Sequence, residues 1–65
     1  MIIDVNGERT PANAATLDIL VAELGHPPEA VATALNGEFV PRSERAAAFL
    51  KEGDRVEILS PMQGG

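Results

Sequence analysis

The feature that most constrains the fold of this 65-residue chain is a single stripe of apolar residues at helical spacing. The stripe recurs at i, i+3, i+4 and i+7: Leu17, Leu20, Val21 and Leu24. Thr16 is a suitable N-cap, and Gly25 followed by Pro27-Pro28 stops a helix. The pattern predicts a helix over residues 16–24. An amphipathic helix must bury its stripe against another layer, and the remaining segments favour a sheet.

Two Asn-Gly pairs predict tight hairpins, because both residue types tolerate a positive φ. The expected strands lie at residues 1–5, 8–12, 31–36, 39–40 and 55–59. Asn6-Gly7 joins the first two strands, and Asn36-Gly37 joins the next two. Pro11 has no N–H to donate, so the second strand should lie at an edge of the sheet.

The segment before the last strand has a weaker pattern. Residues 43–50 are expected to form a short helical turn, with Phe49 and Leu50 directed toward the core. Arg42 and Arg45 are interpreted as solvated surface residues, because charged side chains are rarely buried.

The absence of cysteine requires a fold built on one apolar core, and 45% of the residues are hydrophobic. The order β-β-α-β-β-short helix-β indicates a small α+β domain. The known arrangement that satisfies this order is the ubiquitin-like β-grasp roll. In it, a mixed sheet of four to five strands carries one main helix on one face, with the first and last strands side by side. We expect residues 1–59 to form this domain and residues 60–65 to be a flexible C-terminal tail.

Composition argues against several classes of function. The net charge of −5 disfavours a nucleic-acid or membrane partner. The chain shows neither a membrane span nor a signal peptide, which favours the cytoplasm. It also has no nucleotide-binding glycine motif and no usual metal-ligand set, and the single His26 lies in a loop. We therefore expect a protein that is not itself an enzyme and binds no cofactor or metal.

The printed sequence ends in Gly64-Gly65, after four residues without a charged side chain. Glycine has no Cβ, so this end can enter a narrow channel where catalytic groups approach its last carbonyl. Six extended residues reach about 20 Å. A carboxylate is anionic at neutral pH and resists nucleophiles. It would react only after activation by another protein, for example as an acyl-adenylate made from ATP, and a sulfur nucleophile would then leave a thiocarboxylate.

Three segments together resemble the ThiS family, the sulfur carriers of thiamine biosynthesis. They are ALNGEFVPR (Ala34–Arg42), LKEGDRVEIL (Leu50–Leu59) and the terminal Gly64-Gly65. The resemblance extends over essentially the whole chain in length and order of elements, and it implies the ubiquitin-like β-grasp fold.

The resemblance also implies a chemistry and a set of partners. A ThiF-type enzyme, related to ubiquitin-activating enzymes, would use ATP to adenylate Gly65, which would then become a thiocarboxylate. The sulfur would come ultimately from a cysteine desulfurase and pass to a ThiG-type thiazole synthase. Gly64 would provide clearance in the partner's channel, and Gln63 and Met62 would lie in that channel without a transferable side-chain role.

The folded body should contribute to binding these partners. Fixing six tail residues costs about 6–12 kcal/mol, and the tail has few side chains to offset it. If the helix covers one face of the sheet, the other face carries Ile2, Phe39 and Leu59 as a candidate docking patch. The alternative is that these three are isolated surface residues.

Two other functions stay open from the sequence. A MoaD-like carrier for molybdopterin synthesis would share the fold and the terminal chemistry. An unmodified ubiquitin-like interaction module would share the fold alone, and its binding would not need Gly64-Gly65.

Overall fold

The computed structural model describes residues 1–60, which form a five-stranded sheet with one α-helix packed on a face. The strands are β1 (Ile2–Val5), β2 (Glu8–Pro11), β3 (Ala32–Leu35), β4 (Glu38–Val40) and β5 (Arg55–Leu59). The helix α1 covers Leu17–Glu23, and two 3₁₀ helices cover Pro28–Ala30 and Arg42–Ala47. The strand order is β2-β1-β5-β3-β4, so the last strand lies in the middle of the sheet.

The sheet is mixed because one of its four strand pairs is parallel and the other three are antiparallel. β1 pairs with β5 in parallel, whereas β3 pairs with β5 antiparallel. Each Asn-Gly pair closes an antiparallel hairpin, with φ of 53° at Asn6 and 51° at Asn36. Pro11 lies in the edge strand β2. The predicted β-grasp roll, with its first and last strands adjacent, is confirmed.

The core lies between α1 and the inner face of the sheet. Its buried apolar residues are Ile3, Ala12, Ala14, Leu17, Leu20, Val21, Leu50, Val56 and Ile58. β5 contributes through strict alternation, with Val56 and Ile58 buried and Leu59 exposed on the opposite face. The predicted helical stripe is buried at its first three positions only. Leu24 is exposed, because α1 ends one residue before it.

Both ends of α1 lie where the sequence places them, within one residue. At the C-terminal end, Gly25 and His26 donate their N–H groups to carbonyls of the last turn, the pattern of a Schellman motif. At the N-terminal end, the Thr16 hydroxyl donates to the Asp18 carboxylate and makes no bond to the helix backbone. Among the described residues, no helix has the length and apolar character needed to cross a membrane.

The expectation that Phe49 faces the core is wrong. Its side chain is 71% exposed, whereas Leu50 is buried as expected. The 3₁₀ helix ends at Ala47, and the extended chain beyond it forms an isolated bridge between Phe49 and Thr16. Neighbouring side chains in extended backbone point to opposite sides, so Leu50 inside requires Phe49 outside.

The interpretation of Arg45 as a solvated surface residue is also wrong. Its side chain is buried, and it donates three hydrogen bonds, from Nε to Thr33 Oγ1 (3.0 Å), from Nη1 to the Pro28 carbonyl (2.9 Å) and from Nη2 to the Val31 carbonyl (2.7 Å). The guanidinium therefore ties the second 3₁₀ helix to β3, to the first 3₁₀ helix and to Val31 between them. Arg42, on the same 3₁₀ helix, is exposed as expected.

We predict that Arg45→Ala lowers the free energy of unfolding by about 2–4 kcal/mol, because it leaves a buried hydroxyl and two carbonyls without a donor. Arg42→Ala is the matched control and should change it by less than about 0.5 kcal/mol. Urea denaturation followed by circular dichroism measures both. Equal midpoints for the two variants would contradict a structural role for Arg45.

Candidate functional site

The predicted site begins at the C-terminal end of β5. That strand leads to Ser60, which is exposed and is the last residue that the structure describes. The predicted channel residues Met62, Gln63 and Gly64 and the predicted reactive residue Gly65 lie outside the described residues. The described part of the site is therefore β5, which precedes these residues, and the surface around its C-terminal end.

Asn6 holds the end of β5 through its side chain. Its backbone N–H donates to the Val56 carbonyl at 2.9 Å, which continues the β1–β5 ladder. Beyond that point the side-chain amide takes over: Asn6 Oδ1 accepts from the Ile58 N–H at 2.8 Å, and Asn6 Nδ2 donates to the Ile58 carbonyl at 3.0 Å. The amide thus pairs with β5 as a further strand residue would.

Asn36 makes a similar contact at the start of β5. Its backbone N–H donates to the Arg55 carbonyl at 2.7 Å, and its Oδ1 accepts from the Arg55 N–H at 2.9 Å. Its Nδ2 donates to Asp54 Oδ1 at 3.1 Å. The two hairpin turns therefore hold the central strand at its two ends, one from each side.

Asp54 organises the turn that enters β5. Its carboxylate accepts hydrogen bonds from Asn36 and from the Lys51 N–H at 2.9 Å, and Lys51 Nζ lies 3.5 Å away. Burial alone would raise the pKa of this carboxyl. The hydrogen bonds from Asn36 and Lys51 and the charge of Lys51 outweigh it, so the pKa of Asp54 lies below its ordinary value of 3.8.

The face of the sheet opposite α1 carries an apolar surface beside the end of β5. Leu59 pairs with Ala32, and Phe39 pairs with Ala34 two residues further along β3. Leu59 is 66% and Phe39 is 69% exposed. We call these four residues the outer apolar surface. Since strands lie about 4.8 Å apart and residues about 3.3 Å apart along a strand, its two large side chains are roughly 12 Å from each other.

Ile2 shares this face but not this surface. The parallel register pairs Asp4 with Arg55, so Ile2 lies at the level of Gly53, before β5 begins. Leu59 lies at the other end of β5, roughly 20 Å away at the spacing of residues in a strand. The structure therefore brings Phe39 and Leu59 together and leaves Ile2 at the opposite end of the sheet.

Acidic side chains border the outer apolar surface. Glu57 shares a row of the sheet with Ala34 and is exposed. A shallow groove of about 300 Å³ beside Leu59 is lined in part by Glu29. A partner with apolar contacts and basic residues around them would complement this arrangement.

Sequence reasoning assigned Asn6 and Asn36 to turns and missed their contacts with β5. The turn assignment needs only local conformation, but the contacts depend on the strand order, which brings both hairpins against one strand. The sequence carries one sign of these contacts, because both turns have Asn at a position where Gly would equally accept the positive φ. Asn differs from Gly there in offering a side-chain donor and a side-chain acceptor.

The model of the ThiS family matches residues 2–65. The chain belongs to the ThiS family. One of its relatives, the sulfur carrier protein ThiS of Thermus thermophilus, is 38% identical over 61 residues, which cover 94% of this chain and 95% of that protein. The resemblance drawn from the sequence is therefore confirmed.

Another relative is a longer protein. The thiazole synthase of Paramagnetospirillum magneticum is 36% identical over 66 residues, a match that covers 100% of this chain and 20% of that protein. The chain thus spans about a fifth of the length of that relative.

Solved structures of the family share the fold. The crystal structure of the thiamine biosynthesis protein ThiS from Geobacter metallireducens has a TM-score of 0.81 at 35% identity and covers 100% of both chains. The solution structure of a thiamine biosynthesis protein from the same organism has a TM-score of 0.84 at 35% identity, with 100% of this chain and 88% of that chain covered.

We predict that Asp54→Asn destabilises the protein near neutral pH by about 1–3 kcal/mol, because the ionised carboxylate is the acceptor in its network. The folded-state pKa is lowered, so this stabilisation is fully present above the ordinary pKa of 3.8 and is lost as pH falls through the folded-state value. Urea denaturation over a pH series measures it. A difference between wild type and variant that persists below the folded-state pKa would contradict the assignment.

Proposed function

We propose that this chain is the sulfur carrier of a thiamine biosynthesis pathway, with the Gly65 carboxylate as its reactive group. The observation that carries the proposal is the match of the ThiS family model through the terminal Gly64-Gly65. The Thermus thermophilus sulfur carrier, which aligns over almost its whole length, supports the same assignment.

The proposed chemistry has two steps at Gly65. First, a carboxylate oxygen attacks the α-phosphorus of ATP in the ThiF-type partner, which gives an acyl-adenylate and releases pyrophosphate. A cysteine desulfurase ultimately supplies the sulfur as a persulfide, from which a thiol releases it as hydrosulfide while being oxidised to a disulfide. The hydrosulfide then adds to the acyl carbon. AMP leaves with the oxygen, and the chain keeps a carbon–sulfur bond as a thiocarboxylate. Activation is needed because a free carboxylate is anionic and resists nucleophiles at neutral pH.

The proposed acceptor of the sulfur is a ThiG-type thiazole synthase. Support comes from the Paramagnetospirillum magneticum protein of that name, which contains a segment similar to the whole of this chain. In this proposal the chain is a co-substrate of two partner enzymes. It delivers one sulfur atom per cycle and returns to the carboxylate.

The outer apolar surface is the proposed docking site for these partners. Phe39 and Leu59 are exposed on the face that also carries the end of β5, so a partner bound there is next to the exit of the chain. The acidic residues around this surface favour a partner with basic residues at the edge of its contact area. Ile2 lies too far along the sheet to belong to the same compact contact.

A MoaD-like carrier for molybdopterin is less well supported, because the match is to the ThiS family. An unmodified ubiquitin-like module differs in what it needs from the tail. Deletion of Gly64-Gly65 would leave such a module functional, and it would abolish the transfer proposed here.

We predict that incubation with a ThiF-type enzyme, Mg-ATP and sulfide raises the intact mass by the exchange of one oxygen for one sulfur. The gain should require ATP and should be absent after deletion of Gly64-Gly65. Intact-mass spectrometry measures it. As a control, the same enzyme should modify its own ThiS partner in a parallel reaction. If it does so while the mass of this chain is unchanged, the proposed chemistry is refuted.

Gly65→Ala separates channel access from folding. The added methyl should slow adenylation at least about tenfold because it narrows the approach to the last carbonyl. The unfolding midpoint should not move. Equal adenylation rates for the variant and the wild type would refute the proposed narrow channel, but they would not affect the predicted gain in mass.

We predict that Phe39→Ser raises the KM of the activating enzyme for this chain about tenfold, because it removes the largest side chain of the outer apolar surface. Phe49→Ser is the matched control. Phe49 has the same side chain and nearly the same exposure, 71% against 69%, but lies beside α1. Pyrophosphate release at varied carrier concentration measures KM. A larger effect at Phe49 would move the docking site to the helical side.

A further inference from the structure

β5 extends further than the strand beside it. β1 ends at Val5, opposite Val56, whereas β5 continues to Leu59. On the side of β5 that faces β1, the N–H and carbonyl of Ile58 therefore have no backbone hydrogen-bond partner from β1. The Asn6 amide supplies both contacts, at 2.8 and 3.0 Å.

The other side of β5 is held by backbone pairing. Leu59 is in register with Ala32 of β3, and Ile58 with Thr33. The last two residues of β5 are thus restrained from both sides, on one by β3 and on the other by a single side chain. Removal of that side chain leaves the end of β5 paired along one edge only.

From this arrangement we infer that Asn6 is a positioning residue, which fixes the end of β5 and so sets where the chain leaves the domain toward its reactive terminus. The inference rests on the proposed function, in which a partner binds the outer apolar surface and the segment beyond β5 at once. Leu59 belongs to that surface. A frayed end of β5 would therefore have to be ordered again when the partner binds, at a cost in affinity.

Few residue types can do what Asn6 does. The amide of Asn offers a donor and an acceptor together, and Asn tolerates the φ of 53° found here. An ionised aspartate only accepts hydrogen bonds. It can accept from the Ile58 N–H, but it offers no donor to the Ile58 carbonyl oxygen and repels its partial negative charge. Glycine keeps the turn and removes the side chain. Asn6→Gly therefore separates the amide contacts from the turn conformation.

Asn36 offers a matched control within the same chain. It has a φ of 51°, precedes a glycine and makes two side-chain hydrogen bonds to the start of β5. Asn36→Gly should therefore cost a similar amount of stability. It acts at Arg55 and Asp54, at the other end of β5 from the exit.

The experiment compares wild type, Asn6→Gly, Asn6→Asp and Asn36→Gly by amide hydrogen exchange and by adenylation kinetics. We expect the Ile58 amide to exchange at least about tenfold faster in Asn6→Gly relative to core amides, to be intermediate in Asn6→Asp, and to be unchanged in Asn36→Gly. We expect KM of the activating enzyme to rise about tenfold in Asn6→Gly alone, with kcat unchanged.

Two results would overturn the inference. One is an Ile58 amide that stays protected in Asn6→Gly, which would mean that β5 needs no second edge there. The other is an equal rise of KM in Asn6→Gly and Asn36→Gly, which would reduce both residues to general stability. If the wild-type chain gains no sulfur at all, the proposed function fails, and the exchange data alone still decide whether Asn6 holds the end of β5.

Discussion

The parallel pairing of β1 with β5 is the contact on which the rest of the structure depends. It joins residues from the two ends of the domain and places the last strand in the middle of the sheet. A central strand has neighbours on both edges, so its end is restrained where an edge strand would fray. Because β1 is short, the pairing stops at Val56, and the Asn6 side chain continues it to Ile58. The last strand that the structure describes is thus held along both edges.

Much of this fold follows from local signals in the sequence. The two Asn-Gly pairs specify hairpins because few other dipeptides accept two positive φ values, and Gly25 specifies the end of α1 for a related reason. Alternation in β5 correctly assigns Val56 and Ile58 to the core and Leu59 to the opposite face. Each of these assignments needs only a few neighbouring residues.

The errors arose where distant parts of the chain decide the outcome. Arg45 is buried because carbonyls from two other segments and the Thr33 hydroxyl surround its guanidinium, and no local pattern reveals that acceptor set. Phe49 is exposed because the chain is extended after Ala47, whereas the local pattern predicts a helical turn over residues 43–50. Ile2, Phe39 and Leu59 share the outer face as expected, but the strand register, which no local pattern reveals, places Ile2 far from Leu59. Their role in docking stays a prediction. The contacts of Asn6 likewise required the strand order.

In the proposed function the chain leaves one partner and binds another, and the small size of the outer apolar surface suits that exchange. A buried aromatic side chain removes about 150–250 Å² from water, or about 4–6 kcal/mol of gross stabilisation. Association itself costs about 4–15 kcal/mol, so Phe39 with Leu59 and two alanines leaves little net affinity. In the proposed function the remainder comes from the segment that ends at Gly65. Carboxylate, acyl-adenylate and thiocarboxylate each carry one negative charge near neutral pH but differ in size and in their hydrogen-bonding atoms, so in the proposed function that part of the binding energy changes with the chemical state of the terminus. In the proposed function, a weak common surface combined with a state-dependent terminus lets the sulfur cargo determine which partner is preferred.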